Sequence, residues 1–341
     1  MKKFLGLVTA SVLAFGLVAC GTDSAKERTE ANTDSAATEA TAESTDGQTY
    51  KVGVIQLVQH PALDAATQGF EDALKEKLGD NVEVTVENAS GDNATCATIA
   101  NTFVSDNVDL IMANATPALQ AAQTATSDIP IVATSITDYA TALGISDWKG
   151  STGINVTGTS DLAPLDGQAQ MLNELFPDAK EVGIIYCSGE DNSLYQANKM
   201  TEYLEGYGYN VSAYTFSDSA DVSTVVQTAC GSSDVIYVPT DNVAASCAET
   251  INNVALSAGV PIVAGEEGIC KGCGIATLSI QYYDIGYEAG LMAYEILVNG
   301  ADPASYEIKY ASDFTKEYNP VIAETLNIEL PDDYVAIEME D

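Results

Sequence analysis

Positive charge is the first thing this sequence lacks. Thirteen Lys and Arg stand against 50 Asp and Glu, a formal net charge of −37 over 341 residues. A surface of that sign repels nucleic acid and anionic lipid headgroups, so neither is expected as a partner. Arginine is almost absent: Arg28, the single one, precedes the region that can fold. No guanidinium fork is available to grip a phosphate or carboxylate through paired hydrogen bonds, which disfavours nucleotides and sugar phosphates as ligands. A ligand carboxylate has to be met by backbone N–H groups, hydroxyls or a lysine. Histidine is as scarce. His60 stands alone, which excludes histidine-rich zinc sites and leaves any Ser/His/Asp arrangement dependent on one ring. The seven cysteines show no small-domain disulfide framework. Cys270-Lys271-Gly272-Cys273 has the spacing of half a metal knuckle, but no second CxxC completes it. Ordinary thiols or one local disulfide are expected there, with no metal and no cofactor.

Long apolar runs are missing too, except at the start. Lys2 and Lys3 precede an apolar stretch from Phe4 to Ala19, short and N-terminal enough to be a secretory signal peptide (1–19) rather than a spanning helix. Leu17-Val18-Ala19-Cys20-Gly21 resembles the lipobox of bacterial lipoproteins, in which the cysteine is lipidated; ordinary secretion with a chance cysteine is the alternative. Anchoring through Cys20 places the protein outside the cytoplasm, tethered to the bacterial cell membrane. From Thr22 to Thr49 the chain is mostly Ala, Thr, Ser, Glu and Asp. It cannot bury a core, and residues 20–49 are expected to form a flexible tether.

From Tyr50 onward the chain is rich in pattern. Lys51–Val58 reads as a strand, and Pro61 opens a helix with Leu63, Ala66, Phe70, Ala73 and Leu78 at helical spacing. Strands over 82–86, 110–113 and 129–133 alternate with helices over 95–105 and 118–125, the signature of a parallel doubly wound sheet. The pattern then restarts. Val182-Gly183-Ile184-Ile185 echoes Val52-Gly53-Val54-Ile55, Asp234-Val235-Ile236-Tyr237 echoes Asp109-Leu110-Ile111-Met112, and Val260-Pro261-Ile262-Val263-Ala264 echoes Ile129-Pro130-Ile131-Val132-Ala133. Offsets of 125–131 residues signal paired domains, not a solenoid. Residues 153–161 and 275–279 read as crossings between lobes. The expected architecture is α/β, two doubly wound parallel-sheet lobes joined by a multi-strand hinge. The first lobe is expected over 50–158 plus 280–302 and the second over 159–279 plus 303–341.

In open parallel sheets, ligands sit beyond the carboxyl ends of strands, where helix N-termini present free N–H groups. Thr116, before Pro117, ends one such strand; Asp241, before a helix expected over 243–256, ends its counterpart. Hydroxyl and N–H groups on one side and a carboxylate on the other suit an amino acid zwitterion. Each residue also has a plain role as a helix cap. Thr137 and Asp138 share the first rim, with a simple turn as the alternative. Glu266 is the second candidate acceptor, Asn192 and Ser193 either bind ligand or cap a helix, and His60 either meets the ligand or merely starts a helix.

At these residues the chain resembles the type I periplasmic-binding-protein fold. Within it, the chain is similar to the ABC-transporter substrate-binding lipoproteins that include tryptophan- and phenylalanine-binding members. The motifs are His60-Pro61-Ala62-Leu63-Asp64, Ala115-Thr116-Pro117, Asn155 through Asp161 (NVTGTSD) and Tyr237 through Asn242 (YVPTDN), with Gly265-Glu266 and Tyr282-Tyr283-Asp284. The resemblance implies a monomeric receptor without catalytic activity. It would take a small solute, an aromatic amino acid (Trp, Phe or Tyr), to an ABC permease, with Ala115 and Thr116 among its ligand-binding residues. Two rivals are open: a receptor for a neutral sugar or nucleoside, against which the missing arginines weigh, and a surface enzyme, for which one histidine leaves little to build on.

Overall fold

The computed structural model describes residues 48–339; the signal segment, Cys20 and nearly all of the tether lie outside them. The first half runs β1 (Tyr50–Gln56), α1 (Pro61–Leu78), β2 (Val82–Asn88), α2 (Asn93–Ser105), β3 (Leu110–Asn114), α3 (Thr116–Ala125), β4 (Ile131–Ile136), α4 (Tyr139–Leu143) and β5 (Val156–Ser160). The second half runs α5 (Leu165–Leu175), β6 (Glu181–Cys187), α6 (Asp191–Tyr207), β7 (Asn210–Phe216), α7 (Val222–Cys230), β8 (Val235–Val238), α8 (Asn242–Ser246), α9 (Ala248–Ala258), β9 (Ile262–Ala264), α10 (Glu267–Cys273) and β10 (Ala276–Ser279). It closes with α11 (Tyr282–Asn299), β11 (Lys309–Tyr310), β12 (Thr315–Tyr318), α12 (Pro320–Leu326) and β13 (Val335–Ala336).

Two sheets result, ordered β11-β5-β4-β3-β1-β2 and β13-β12-β10-β9-β8-β6-β7. Stripped of their edge strands, both have the doubly wound order 2-1-3-4-5. The repeat extends to register: Val52 sits beside Leu110 and Val182 beside Val235. It extends to side chains as well. Asp109 accepts a hydrogen bond from the Lys51 N–H at 2.8 Å, and Asp234 accepts from the Lys180 and Glu181 N–H groups at 2.7 and 3.0 Å. Apolar cores cover both faces of each sheet, as expected of strands that are nearly continuous hydrophobic runs.

Three expectations are corrected. The segments expected to cross between lobes around 153–161 and 275–279 are integral strands, β5 and β10. Strand β5 tolerates its place because Gly158, at φ +147°, passes so close to β4 that an added Cβ would lie 1.8 Å from the Ala133 carbonyl oxygen. The lobe boundaries shift with it. Thr159 and Ser160 pair with Lys309 and Tyr310 in the first sheet, so the chain crosses after Ser160 rather than after Gly158, and the return past residue 303 first adds an edge to that sheet. The single helix expected over 243–256 is two, broken at Cys247.

Helix α11 follows a crossing at Ile280–Gln281 and packs back on the first lobe against α1. The approach is close because Gly69, Gly286 and Gly290 leave the seam bare; a Cβ on Gly286 would come within 2.0 Å of the Ala66 carbonyl oxygen. Three crossings, near 161–164, 280–281 and 311–314, therefore join the lobes. Among the described residues no helix is long and apolar enough to cross a membrane, and all six cysteines are unpaired thiols.

Candidate functional site

The carboxyl ends of both sheets face one interlobe cleft. A small cavity of about 10 Å³, room for one small polar group, lies deep in it, walled by His60, Leu63 and Ser135 from the first lobe, by Asn192, Thr240, Asp241, Asn242, Ala245 and Glu266 from the second, and by Asp161 and Tyr282 at the crossings. A wider groove of about 420 Å³ adjoins it, with Leu57, Val58 and Pro117 on one side and Glu190, Asn242 and Val243 on the other.

Of the residues expected at the site, His60, Asn192, Asp241 and Glu266 line the cavity. Ala115, Thr116, Thr137, Asp138 and Ser193 do not. Thr116 opens α3, and its neighbour Pro117 lines the groove. The Thr137 hydroxyl donates to Asp161 Oδ1 at 3.1 Å. Asp138 caps α4 by accepting from the Thr141 N–H at 2.7 Å. Ser193, fully buried on α6, bonds the Asp241 carboxylate from behind.

Helix starts differ between the lobes. In the first, α1 and α3 begin at His60 and Ala115 with no side-chain cap, so their leading N–H groups remain donors in search of an acceptor. In the second, α8 and α10 are capped by carboxylates. Asp241 accepts from the Ala244 N–H at 2.8 Å and, through its other oxygen, from the Cys187 N–H at 2.6 Å. Glu266 accepts from the N–H groups of Gly268 (2.6 Å) and Ile269.

Burial raises these acids. The Glu266 carboxyl is pushed up to about 7, and Asp161, although it accepts from the Tyr282 hydroxyl at 3.0 Å, to about 6. Asp241 is raised by burial and then by the charge of Glu190. Burial pushes His60 the other way, towards the neutral ring. Its tautomer follows from its neighbours. Asn242 Nδ2 donates to Glu190 at 2.7 Å, which turns its Oδ1 towards His60 Nε2 at 3.3 Å; that nitrogen must carry the proton. His60 Nδ1 is then a bare acceptor, buried and without a partner. Asn192 Oδ1 and the Ser135 hydroxyl are buried and unpartnered as well. Ser135 and Ala115, at the ends of β4 and β3, hold positive φ of 57° and 90°, strain of the kind that collects at functional sites.

Among the described residues, the polar contacts between the lobes across the cleft include His60 with Asn242, Gln120 Nε2 donating to Asp191 Oδ2 at 2.9 Å, and Gln196 Nε2 donating to the Thr137 hydroxyl at 3.5 Å. Glu190 has no counterpart among the expected residues; only its place in the polar loop before α6 hints at it. Asp161 and Tyr282 appear in motifs of the sequence, but nothing in its local pattern shows that they meet. Ser135 is invisible to pattern because its significance is a backbone angle.

Residues 51–340 match the family described as ABC transporter substrate binding protein. A tyrosine-binding protein of Clostridioides difficile (strain R20291) is 38% identical over 301 residues, 87% of this chain and 84% of the relative. Among solved structures, an ABC domain from Streptococcus pneumoniae in complex with L-Trp superposes with a TM-score of 0.80 at 32% identity, covering 84% of this chain and 97% of that one. The ligand-free, open structure of a substrate-binding protein with adhesive properties from Clostridium difficile gives 0.65 at 34% identity, covering 85% and 100%.

Proposed function

The chain belongs to the ABC transporter substrate-binding protein family, and we propose that it captures an aromatic L-amino acid between its lobes for delivery to a membrane permease. One observation carries the ligand reading. His60 Nδ1, Asn192 Oδ1 and the Ser135 hydroxyl are unpartnered and buried at one cavity that also holds Asp161, Asp241 and Glu266. Two of those free atoms are acceptors and the third can be one. Native proteins rarely leave buried polar atoms unmet, so the occupant is a multiple donor: an ammonium group, which brings three N–H bonds and a charge, fits. The uncapped starts of α1 and α3 answer the other end of a zwitterion, a carboxylate. The groove next door supplies apolar walls for a ring at Leu57, Val58, Pro117 and Val243.

The ligand acts as a clasp. It contacts both lobes, so it favours the closed arrangement, which the permease distinguishes from the open one. The cross-lobe contacts support the reading that this structure is near closure. Its greater likeness to the L-Trp complex than to the open, ligand-free structure, at similar identity, supports that reading. The protein binds without turning its ligand over, acts as a monomer, and is held at the outer face of the cell membrane through lipidated Cys20. Cys20→Ser is expected to move it from the membrane fraction to the medium.

A thermal-shift screen of the twenty amino acids, ribose and nucleosides tests the ligand class. Tyrosine, tryptophan or phenylalanine is expected to raise the melting temperature, by roughly 2.7 kcal/mol of added stability at a hundredfold excess over Kd. A shift with ribose or nucleosides alone would overturn the assignment.

A further inference from the structure

The cavity contains more negative charge than the protein offers to neutralise. Asp161, Asp241 and Glu266 line it, and Glu190 stands directly behind, bonded to Asn192 and Asn242. All four are buried. No lysine lines the cavity, and the base that does, His60, is held towards its neutral form. Each acid has been given neutral donors instead. Asp161 faces the Thr137 and Tyr282 hydroxyls and, beyond them, Glu266. Asp241 faces the Cys187 and Ala244 N–H groups, the Ser193 hydroxyl and the charge of Glu190. Glu266 faces the start of α10, with Glu267 adding repulsion. Buried carboxylates crowded together without a cation cannot all stay ionised.

We propose that the ligand-free cavity stores protons on the carboxyls that line it, Asp161, Asp241 and Glu266, and exchanges them for the ligand's ammonium group, so that capture releases a proton and affinity is set by pH. This rests on the ammonium reading given above and says how the site accommodates it. A cavity carboxylic acid gives its O–H proton to solvent, the carboxylate left behind pairs with the incoming –NH3+, and the total charge in the cavity is unchanged. The elevated titration of Asp161 and Glu266, near 6 and 7, puts the exchange in the range where small pH differences matter. A receptor working this way holds its ligand more firmly at neutral pH and lets it go on acidification.

Two measurements decide it. The first needs no ligand: carboxyl 13C shifts of Asp- and Glu-labelled protein, followed from pH 4 to 8.5. At least two carboxyls are expected to titrate with midpoints above 5.5, and Glu266→Gln is expected to remove one of them. If every carboxyl in the ligand-free protein titrates below pH 5, the storage of protons is disproved. The second is calorimetry with L-tyrosine in buffers of different ionisation enthalpy. Near pH 6 it should report release of about one proton. The Kd should tighten about tenfold per pH unit below 6 and level off by 8, whereas 3-(4-hydroxyphenyl)propionate, which lacks the ammonium group, should weaken as pH rises. A Kd for L-tyrosine that is constant from pH 5 to 8, with heats independent of buffer, contradicts the exchange. If no aromatic amino acid binds at any pH, the ligand class proposed above fails, and the carboxyl titration still decides whether protons are stored.

Discussion

At the carboxyl ends of strands β3 and β4 of the first lobe stand Ala115, just past β3, and Ser135, next to last in β4, small residues at positive φ. The equivalent strands of the second lobe, β8 and β9, lead into Asp241 and Glu266, buried carboxylates that cap the next helices. The framework beneath is the same, with one strand order, one register and one aspartate clamp at Asp109 and Asp234. Duplication thus preserved the scaffold and diverged at the lips. One lip leaves the starts of α1 and α3 open, whereas the other caps α8 and α10 with buried carboxylates. Opposed across a cleft, they bring uncapped helix starts from one lobe and buried carboxylates from the other to the two ends of a ligand, something that two identical lips would not do.

The largest effect is expected where the first lip is shaped. Gly158 lets β5 press close beside its sheet neighbour β4 next to the irregularity between Ala133 and Ile136, and Gly158→Ala has no room to relax against backbone. A loss of about 3 kcal/mol or more in denaturant unfolding is expected; a loss of less than about 1 kcal/mol, the ordinary effect of a substitution, means that the lip does not depend on that approach. On the other lip, Asp241→Ala removes a cap worth about 1 kcal/mol and strands the buried Cys187 N–H, which costs roughly a further 1–3 kcal/mol. Thr116→Ala, which breaks neither of those bonds, is expected to cost markedly less, and equal losses in the two variants would erase the contrast between the lips.

The same contrast has a pH signature in the ligand-free protein. Asp161 and Glu266 titrate higher when folded than their ordinary values of about 4. The folded state therefore keeps protons that the unfolded chain has given up. Their effect on stability is absent below about pH 4 and becomes increasingly unfavourable as pH rises towards 6 and 7, by about 1.4 kcal/mol for each unit of displacement. Melting temperature is expected to be higher at pH 5 than at pH 8 and to lose that difference in Glu266→Gln paired with Asp161→Asn. A melting temperature rising steadily over that range would place the acids in the opposite environment.

The smallest effect concerns closure. Gln120 reaches from α3 to Asp191 on α6 at an exposed rim, and losing one such bond changes the balance by at most about 1 kcal/mol. Small-angle scattering of Gln120→Ala without ligand is expected to show a slight expansion that ligand reverses. An identical profile would leave closure to His60 and the ligand.

The lobes were legible because parallel strands advertise themselves: Val52-Gly53-Val54-Ile55 and its echo at Val182 are buried on both faces and read as apolar runs whatever surrounds them. Asp241 and Glu266 were legible for a related reason, since a carboxylate between a strand and a helix start has few roles. The edges of the lobes were not. Lys309 and Tyr310 make a two-residue strand with no periodicity, placed only by pairing with β5, and β5 itself is Thr- and Gly-rich because it serves close packing at Gly158 rather than apolar burial. Glu190, Asp161 and Tyr282 escaped as site residues because their importance lies in separations across the chain, 121 residues between Asp161 and Tyr282 and 52 between Glu190 and Asn242, that local pattern does not encode. Thr116, the residue most prominent in the sequence, stands one position away from the groove lining.

Whether opposed lips clasp the two ends of a zwitterion is tested most directly by trimming the ligand. Calorimetric Kd values at pH 8 for L-tyrosine, tyramine and 3-(4-hydroxyphenyl)propionate compare the whole ligand with versions lacking the carboxylate and the ammonium group. Charge-assisted hydrogen bonds of about 1.5–3 kcal/mol at each end predict that either deletion weakens binding by roughly a hundredfold. An analogue that binds as tightly as L-tyrosine would show that the corresponding lip does not hold the ligand.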